Sequence, residues 1–110
     1  MANTFYRKTS SNVGTTATTI GGYTVGAATT SVVLGLSLAN NTGATINASA
    51  FIANATALTY LVKSAPVSAG GTLVIVGGDQ KIIIQTNDNV KVVSDTASSL
   101  DAVMSIMEIT

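Results

Sequence analysis

The chain contains no cysteine, no histidine and no tryptophan among its 110 residues. Without cysteine there is no disulfide and no thiolate metal site. Without histidine the commonest metal ligand and the most frequent general base are missing. A nucleophile would have to be activated by lysine or by paired carboxylates. These absences argue against most enzyme classes, and the sequence predicts no cofactor and no bound metal.

Charge is also scarce, since charged residues make up 9% of the chain against about 25% in ordinary domains. Five bases and five acids leave a net charge of zero, and no basic patch is present to neutralise phosphates, so we expect no nucleic-acid partner. The mean hydropathy is +0.48. Few charges on an apolar chain favour association, and we expect much of the surface to be covered by partner subunits.

No apolar run approaches the ~18 residues of a membrane span, and the opening residues lack the apolar segment of a secretory signal. We therefore expect no membrane contact. Proline is almost absent as well, with Pro66 as the single copy. It cannot donate to a β-ladder, so we place it in a loop at 64–71, at an edge or corner of a sheet.

What the chain does contain is a repeated β pattern. β-Branched residues alternate with small polar ones, and turn residues separate the segments, as in Asn-Asn-Thr-Gly at 40–43, Gly-Gly at 77–78 and Asn-Asp-Asn at 87–89. About eight short strands at this spacing predict an all-β fold, an antiparallel β-sandwich or jelly-roll-like barrel, over residues 13–110. In residues 31–39 the alternation predicts one face in a core, made by Val32, Leu34, Leu36 and Leu38. In the last strand it puts Ala102, Met104, Ile106 and Glu108 on one face and Val103, Ser105, Met107 and Ile109 on the other, without assigning the buried one. Residues 81–86 alternate imperfectly, which indicates contact on both faces and leaves open whether Ile82 to Ile84 face a core or the next subunit.

Residues 1–12 are predicted to form an extended N-terminal arm. No strand pattern begins before Val13, so this opening is either an extended tail or a first edge strand. It carries two aromatic and two basic residues in succession, Phe5, Tyr6, Arg7 and Lys8. These four are the candidate partner-binding residues.

The acidic residues do not form a catalytic pattern. Asp79 and Asp88 flank the strand predicted at 81–86, which puts them roughly 30 Å apart and too far apart for the two carboxylates of a glycosidase. Asp95 and Asp101 lie in or beside one Ser/Thr/Ala-rich loop, which favours a solvated loop. The Asn-Asp-Asn segment has oxygen ligands suited to Ca²⁺, but a single charge, and such triplets are ordinary turn chemistry. No catalytic residue is assigned.

A carbohydrate-binding module is the alternative from another class. Such sites present exposed aromatic rings, and Tyr23 and Tyr60 would be the residues to test. We expect Phe51 and Tyr60 to pack within central strands, which weakens this alternative. The three N-x-[ST] sequons at Asn40, Asn47 and Asn54 are expected by chance in so Asn/Thr/Ser-rich a chain.

The second half of the chain resembles a known family. Residues 61–110 read LVKSAPVSAGGTLVIVGGDQKIIIQTNDNVKVVSDTASSLDAVMSIMEIT, and residues 5–16 read FYRKTSSNVGTT. Both are similar to small β-structured virion proteins of tailed bacteriophages, especially marine and cyanobacterial phages. The resemblance implies a non-enzymatic structural protein of the virion, made in the host cytoplasm. Its members are typically capsid decoration (cement) proteins, often homotrimers, or components of the tail and its fibres.

The role implied for this chain is to strengthen the head shell as a decoration protein on the capsid surface. Its implied partners are copies of itself and the major capsid protein, with no small-molecule substrate. Arg7 and Lys8 would pair with acids of the shell, while Phe5 and Tyr6 would be buried against it. A tail, baseplate or fibre component is the alternative within the same class.

Overall fold

The computed structural model describes residues 3–77 and 79–110, which form nine β-strands and no helix. Met1 and Ala2 of the predicted arm, and Gly78 of the predicted Gly-Gly turn, lie outside the described residues. Over those two ranges no helix has the length and apolarity to cross a membrane. The strands are β1 (Asn3–Val13), β2 (Thr18–Thr24), β3 (Thr30–Asn40), β4 (Ile46–Asn54), β5 (Ala57–Val67), β6 (Thr72–Val76), β7 (Ile82–Gln85), β8 (Asn89–Ser94) and β9 (Leu100–Ile109).

The strands form two antiparallel sheets, which confirms the predicted fold class. The five-stranded sheet has the order β1-β9-β3-β6, and β7 pairs with β3 as well. β7 lies along the first half of β3 and β6 along the second. The four-stranded sheet has the order β2-β8-β4-β5. Between them lies one apolar core, whose largest fully buried side chains are Ile20, Leu36, Leu38, Ile46, Ile84, Leu100, Met104 and Ile106.

The N-terminal segment is an edge strand and not a detached arm. β1 pairs with β9 from Asn3 opposite Ile109 to Ser10 opposite Ala102. It also contacts the other sheet, because the backbone N–H of Gly21 in β2 donates to the Ser10 hydroxyl at 2.9 Å. Of the two alternatives left open by the sequence, the edge strand is the one found over residues 3–13, and β1 helps to close one side of the sandwich.

A β-bulge in β3 changes which residues are buried. The pairing of β3 with β9 shifts between Val33 and Gly35, and the extra residue reverses the inward and outward positions beyond it. Val33 is buried while Val32 and Leu34 are partly exposed, so the predicted buried face is wrong there. In β9 the pattern is uninterrupted, and the structure buries the face that carries Ala102, Met104 and Ile106, a choice that the sequence left open.

Pro66 lies inside β5 and not in a loop, because that strand continues to Val67. The predicted loop beginning at Ser64 is therefore wrong. The predicted edge position is confirmed, since β5 is the outermost strand of the four-stranded sheet. An edge strand has one unpaired side, so a residue without an N–H is tolerated.

Gly21 and Gly22 provide a matched pair for testing the contact between β1 and β2. Both have positive φ angles, 58° and 66°. A Cβ added at Gly21 would lie 2.9 Å from the Lys8 Cβ, whereas one at Gly22 would meet nothing within 4 Å. We expect Gly21→Ala to lower the free energy of unfolding by about 3 kcal/mol, from strain and overpacking, and Gly22→Ala by about 1 kcal/mol from strain alone. Urea denaturation followed by circular dichroism measures both, and equal losses would contradict the close approach of β1 to β2.

Candidate functional site

The outer face of the five-stranded sheet, which points away from the four-stranded sheet, carries a row of apolar side chains. Residues paired directly across neighbouring strands share one face of a sheet. Met107 follows the buried Ile106 in β9 and so points outward. Its partners are Phe5 in β1 and Val32 in β3, and Val32 in turn pairs with Ile83 in β7. We call this set the apolar row: Phe5, Met107, Val32 and Ile83.

The two ends of the apolar row are strongly exposed, with 69% of Phe5 and 63% of Ile83 accessible to solvent. A second row lies two residues farther along the strands. In it, Arg7 of β1 pairs with Ser105 of β9, and Ser105 pairs with Gly35 of β3. The next outward row contains two more exposed apolar residues: it consists of Thr9, Val103, Ser37 and Val74. The outer face is thus a broad surface of apolar and small polar groups, and Arg7 is the single charged residue in these three rows.

The four residues assigned to partner binding fall on two faces of β1. Phe5 and Arg7 belong to the outer face. Tyr6 lies opposite the buried Ile106, and Lys8 opposite the buried Met104. Strand geometry explains the division, since successive side chains point to opposite faces. The sequence placed the four together because they are adjacent in the chain, but the structure brings them together only in pairs.

Lys8 makes contacts within the chain. Its Nζ lies 5.1 Å from the ring centroid of Tyr6 and 5.3 Å from that of Tyr23. At these distances the ammonium group is attracted to the negative faces of both rings. Lys8 therefore helps to join the edge strand β1 to β2, where Tyr23 is located.

Tyr23 is the centre of a buried hydrogen-bond network. Its hydroxyl donates to Glu108 Oε2 at 2.6 Å. Since that uses its single proton, Ser31 donates to the Tyr23 oxygen at 2.5 Å. Burial and the hydrogen bond to Glu108 raise the pKa of Tyr23 to about 12. The ring is buried and engaged, so Tyr23 cannot serve as an exposed platform for a sugar.

Two of the acidic residues accept hydrogen bonds from groups at or beside the ends of strands. Asp88 accepts from Asn54 Nδ2 at 2.7 Å and from the Gln85 backbone at 2.8 Å. Asp101 accepts from the backbone N–H of Asn12 at 2.9 Å. These contacts fix turns at the ends of strands. Asp79 and Asp88 lie in loops at opposite ends of β7, as the sequence predicted.

Asp95 borders a small open cleft between β4, β5 and β8, with a volume of about 230 Å³. Hydrogen bonds from the Asn47 backbone and the Thr96 hydroxyl hold the pKa of the Asp95 carboxyl below its usual value. The Ser64 backbone N–H donates to the Ser49 hydroxyl at 2.8 Å. The polar groups of this cleft thus bind one another. Within residues 3–77 and 79–110, no three Asp or Glu side chains are grouped to hold a metal ion.

The four-stranded sheet has a second exposed patch on its outer side. Tyr60 is 45% exposed and its ring centroid lies 5.2 Å from that of Phe51. Lys63 Nζ lies 5.2 Å from the Tyr60 ring. Phe51 is buried in a central strand as expected. Tyr60 packs against Phe51, but its expected position in a central strand is wrong, because β5 is at the edge.

Val74 is an exposed residue that the sequence did not single out, and the exposed Ile83 belongs to a run whose orientation the sequence left open. The run of three isoleucines at 82–84 indicated contact on both faces of β7, and the structure buries Ile84 while exposing Ile83. The signal available in the sequence was a strand with apolar residues on both faces. This signal does not show which face lies in the core and which lies in solvent.

Comparison with known proteins gives little guidance. No family model matches the chain, and no curated protein matches it. One solved structure that aligns with it is described as "Bacillus endospore appendages form a novel family of disulfide-linked pili". The alignment has a TM-score of 0.37 and 11% sequence identity, and it covers 99% of this chain and 85% of the other. Similarity this low carries no argument about function.

Proposed function

We propose that this chain is a non-enzymatic structural protein of a tailed-phage virion, with capsid decoration as its role. The observation that carries the proposal is the outer face of the five-stranded sheet, an open apolar surface on a rigid element. An exposed apolar face of this extent is typical of protein–protein contact. The virion role rests on the sequence resemblance, and the exposed apolar face is a surface suited to assembly.

Apolar burial would provide most of the binding energy of this surface. Fully burying a side chain such as Phe5 or Ile83 stabilises a contact by about 1.5–3 kcal/mol. An ion pair made by Arg7 at the rim would add only about 0–1 kcal/mol. We therefore assign the main contact to the apolar row and a secondary, orienting contact to Arg7. Tyr6 and Lys8 act indirectly, by packing β1 onto Tyr23.

The hydrogen bonds of the acidic residues also support a structural role. Asp88, Asp95 and Asp101 each accept a backbone N–H at or beside the end of a strand. A carboxylate that holds the chain in place in this way is poorly suited to accept and release a proton in each catalytic cycle.

A tail, baseplate or fibre component is the second candidate, because the same apolar face would serve there. Copy number distinguishes the two roles. A decoration protein coats the shell in hundreds of copies, whereas a tail component is present in a few copies or a few rings. Quantitative mass spectrometry of purified virions of the phage that encodes this chain provides the count.

A glycan-binding role is favoured by one observation, the exposed Tyr60 ring beside Lys63. Aromatic rings of this kind stack on sugars. If Tyr60 binds a glycan, Tyr60→Ala abolishes binding on a glycan array while leaving the fold intact. Binding that is unaffected by this substitution would exclude the site.

The proposed role predicts that Phe5→Ser prevents the protein from binding virions. Phe5 is the most exposed large apolar residue on the outer face, and replacing it removes about 1.5–3 kcal/mol of burial, which lowers affinity about 10- to 150-fold. Co-sedimentation of purified protein with virions depleted of it measures the binding.

Leu58→Ser is the matched control, because Leu58 is 54% exposed on the four-stranded sheet and lies outside the proposed surface. It should leave binding unchanged. Point variants are preferable to deleting residues 1–12, because that deletion would remove β1 and uncover the edge of β9. Full binding by Phe5→Ser would contradict the proposed surface.

A further inference from the structure

The apolar row is nearly symmetric across the sheet. Its members come from β1, β9, β3 and β7 in spatial order, so its midpoint falls between Met107 and Val32. We propose that the outer face packs against the same face of a second copy of this chain. The two-fold axis would run along the strands between β9 and β3. This inference rests on the proposed function and names a second copy as the partner at this surface, so that Phe5→Ser would weaken virion binding by separating the pair.

A two-fold axis in this position brings unlike residues together. It places Phe5 of one copy against Ile83 of the other, and Met107 against Val32. Each large flexible or aromatic side chain thereby meets a β-branched one, and every contact occurs twice. This self-complementary arrangement is what an isologous interface requires. Two sheets that pack in this way interdigitate their facing side chains at an aligned angle.

The position of Arg7 favours this axis over a two-fold axis that runs across the strands. Arg7 lies at one side of the sheet, on β1, and the central rows beside it contain Ser105 and Gly35. With the proposed axis, the two Arg7 side chains lie at opposite sides of the pair, about 14 Å apart across three strand spacings. That separation exceeds the Debye length of about 8 Å at physiological salt. An axis across the strands through the middle one of the three outward rows would place Arg7 against Arg7.

The outer face is large enough for a stable pair. Four strands spaced about 4.8 Å apart and about 30 Å long give a face of roughly 600 Å². Two copies would then bury about 1,200 Å², at the lower end of the range for specific interfaces. The ends of the apolar row would be removed from water, since Phe5 and Ile83 are its most exposed members.

The absence of native cysteine allows a direct test with two single variants, Phe5→Cys and Ile83→Cys. In the proposed pair residue 5 of one copy faces residue 83 of the other. Facing residues of two packed sheets lie about 10 Å apart, which is beyond the Cα separation of about 4.4–6.8 Å that a disulfide needs, so the cross-linker is a bis-maleimide with a spacer of about 10 Å. On treating a mixture of the two variants with this reagent, we expect a cross-linked species of twice the 11.0 kDa chain mass. Its yield should be several times that from either variant alone, because in the proposed pair each residue faces the other residue and not its own copy.

A mixture of Leu58→Cys with Ile83→Cys is the matched control and should not cross-link, because Leu58 lies on the other sheet. Sedimentation equilibrium of the unmodified chain provides the second measurement and should give the mass of two chains. A monomer, or the trimer implied by the family resemblance, would overturn the inference. Equal cross-linking of either single variant with itself would overturn the axis.

Two outcomes distinguish a failure of the proposed pairing from a failure of the proposed function. If the chain is monomeric but Phe5→Ser still abolishes virion binding, the outer face binds the shell and the pairing is wrong. If the chain pairs as proposed but is absent from virions, the pairing stands and the proposed function is wrong.

Discussion

Ile106→Ala is expected to lower the free energy of unfolding by about 3–4 kcal/mol. Ile106 is completely buried in the middle of β9, opposite Tyr6 on one side and Val33 on the other. Replacing a buried isoleucine with alanine removes apolar contacts and leaves a cavity, which costs about 2–5 kcal/mol. A domain of this size has a total stability of about 5–15 kcal/mol. The substitution would therefore remove a large share of it, as measured by urea denaturation with circular dichroism.

Val103→Ala is the control on the same strand. Val103 is 44% exposed on the outer face, so at low protein concentration its loss should be below about 1 kcal/mol. If the outer face pairs, the effect of Val103→Ala should grow with protein concentration, while that of Ile106→Ala should not. Equal losses at both positions in dilute solution would mean that the two faces of β9 are wrongly assigned.

Asn40→Ala is the second substitution with a large expected effect. The side chain is buried at the end of β3, where Nδ2 donates to the carbonyl oxygens of Ala44 at 2.7 Å and Val67 at 3.0 Å. Its Oδ1 accepts from the Thr42 backbone at 2.9 Å. One side chain thus joins the turn after β3 to the end of β5. Alanine would leave buried backbone groups without partners, at a cost of about 3 kcal/mol.

Asn41→Ala is the neighbouring control for this prediction. Asn41 is exposed, and its Nδ2 contacts Asn12 and Asp101 at the surface. Water replaces such contacts at little cost, so we expect a loss of less than about 1 kcal/mol. Thermal unfolding of both variants measures the difference, and similar melting temperatures would contradict the role assigned to Asn40. The burial of Asn40 also makes its sequon unsuitable as a glycosylation acceptor.

Most strand positions from Thr30 onward were predictable from local sequence, whereas the side of the sheet that each residue faces was not. In β9 the alternation grouped Met104 with Ile106 but left open which face is buried. In β3 the same reasoning failed at Val32, because a bulge inserts one residue. Gly35, at the register shift, is the local signal of that bulge, and alternation alone does not use it. Bulges arise from the fit between neighbouring strands, and that information lies in the partner strand.

Only part of the candidate surface was predictable from the sequence. Phe5 and Arg7 were identified from an unusual cluster in a chain with few charges and aromatics. Val74 was missed and the orientation of Ile83 was left open, because both join Phe5 only through the pairing of β1, β9, β3, β6 and β7. Contacts between residues distant in sequence are set by strand order, which alternation within one strand does not contain.

The sequence by itself determined the class of fold and most strand and turn positions from Thr30 onward, because these depend on composition and short-range pattern. The tertiary structure alone decided that residues 3–13 are an edge strand, that Tyr6 and Lys8 are separated from Phe5 and Arg7, and that an apolar row crosses four strands. Each of these depends on which strands pair and in what register. Only long-range packing fixes that choice.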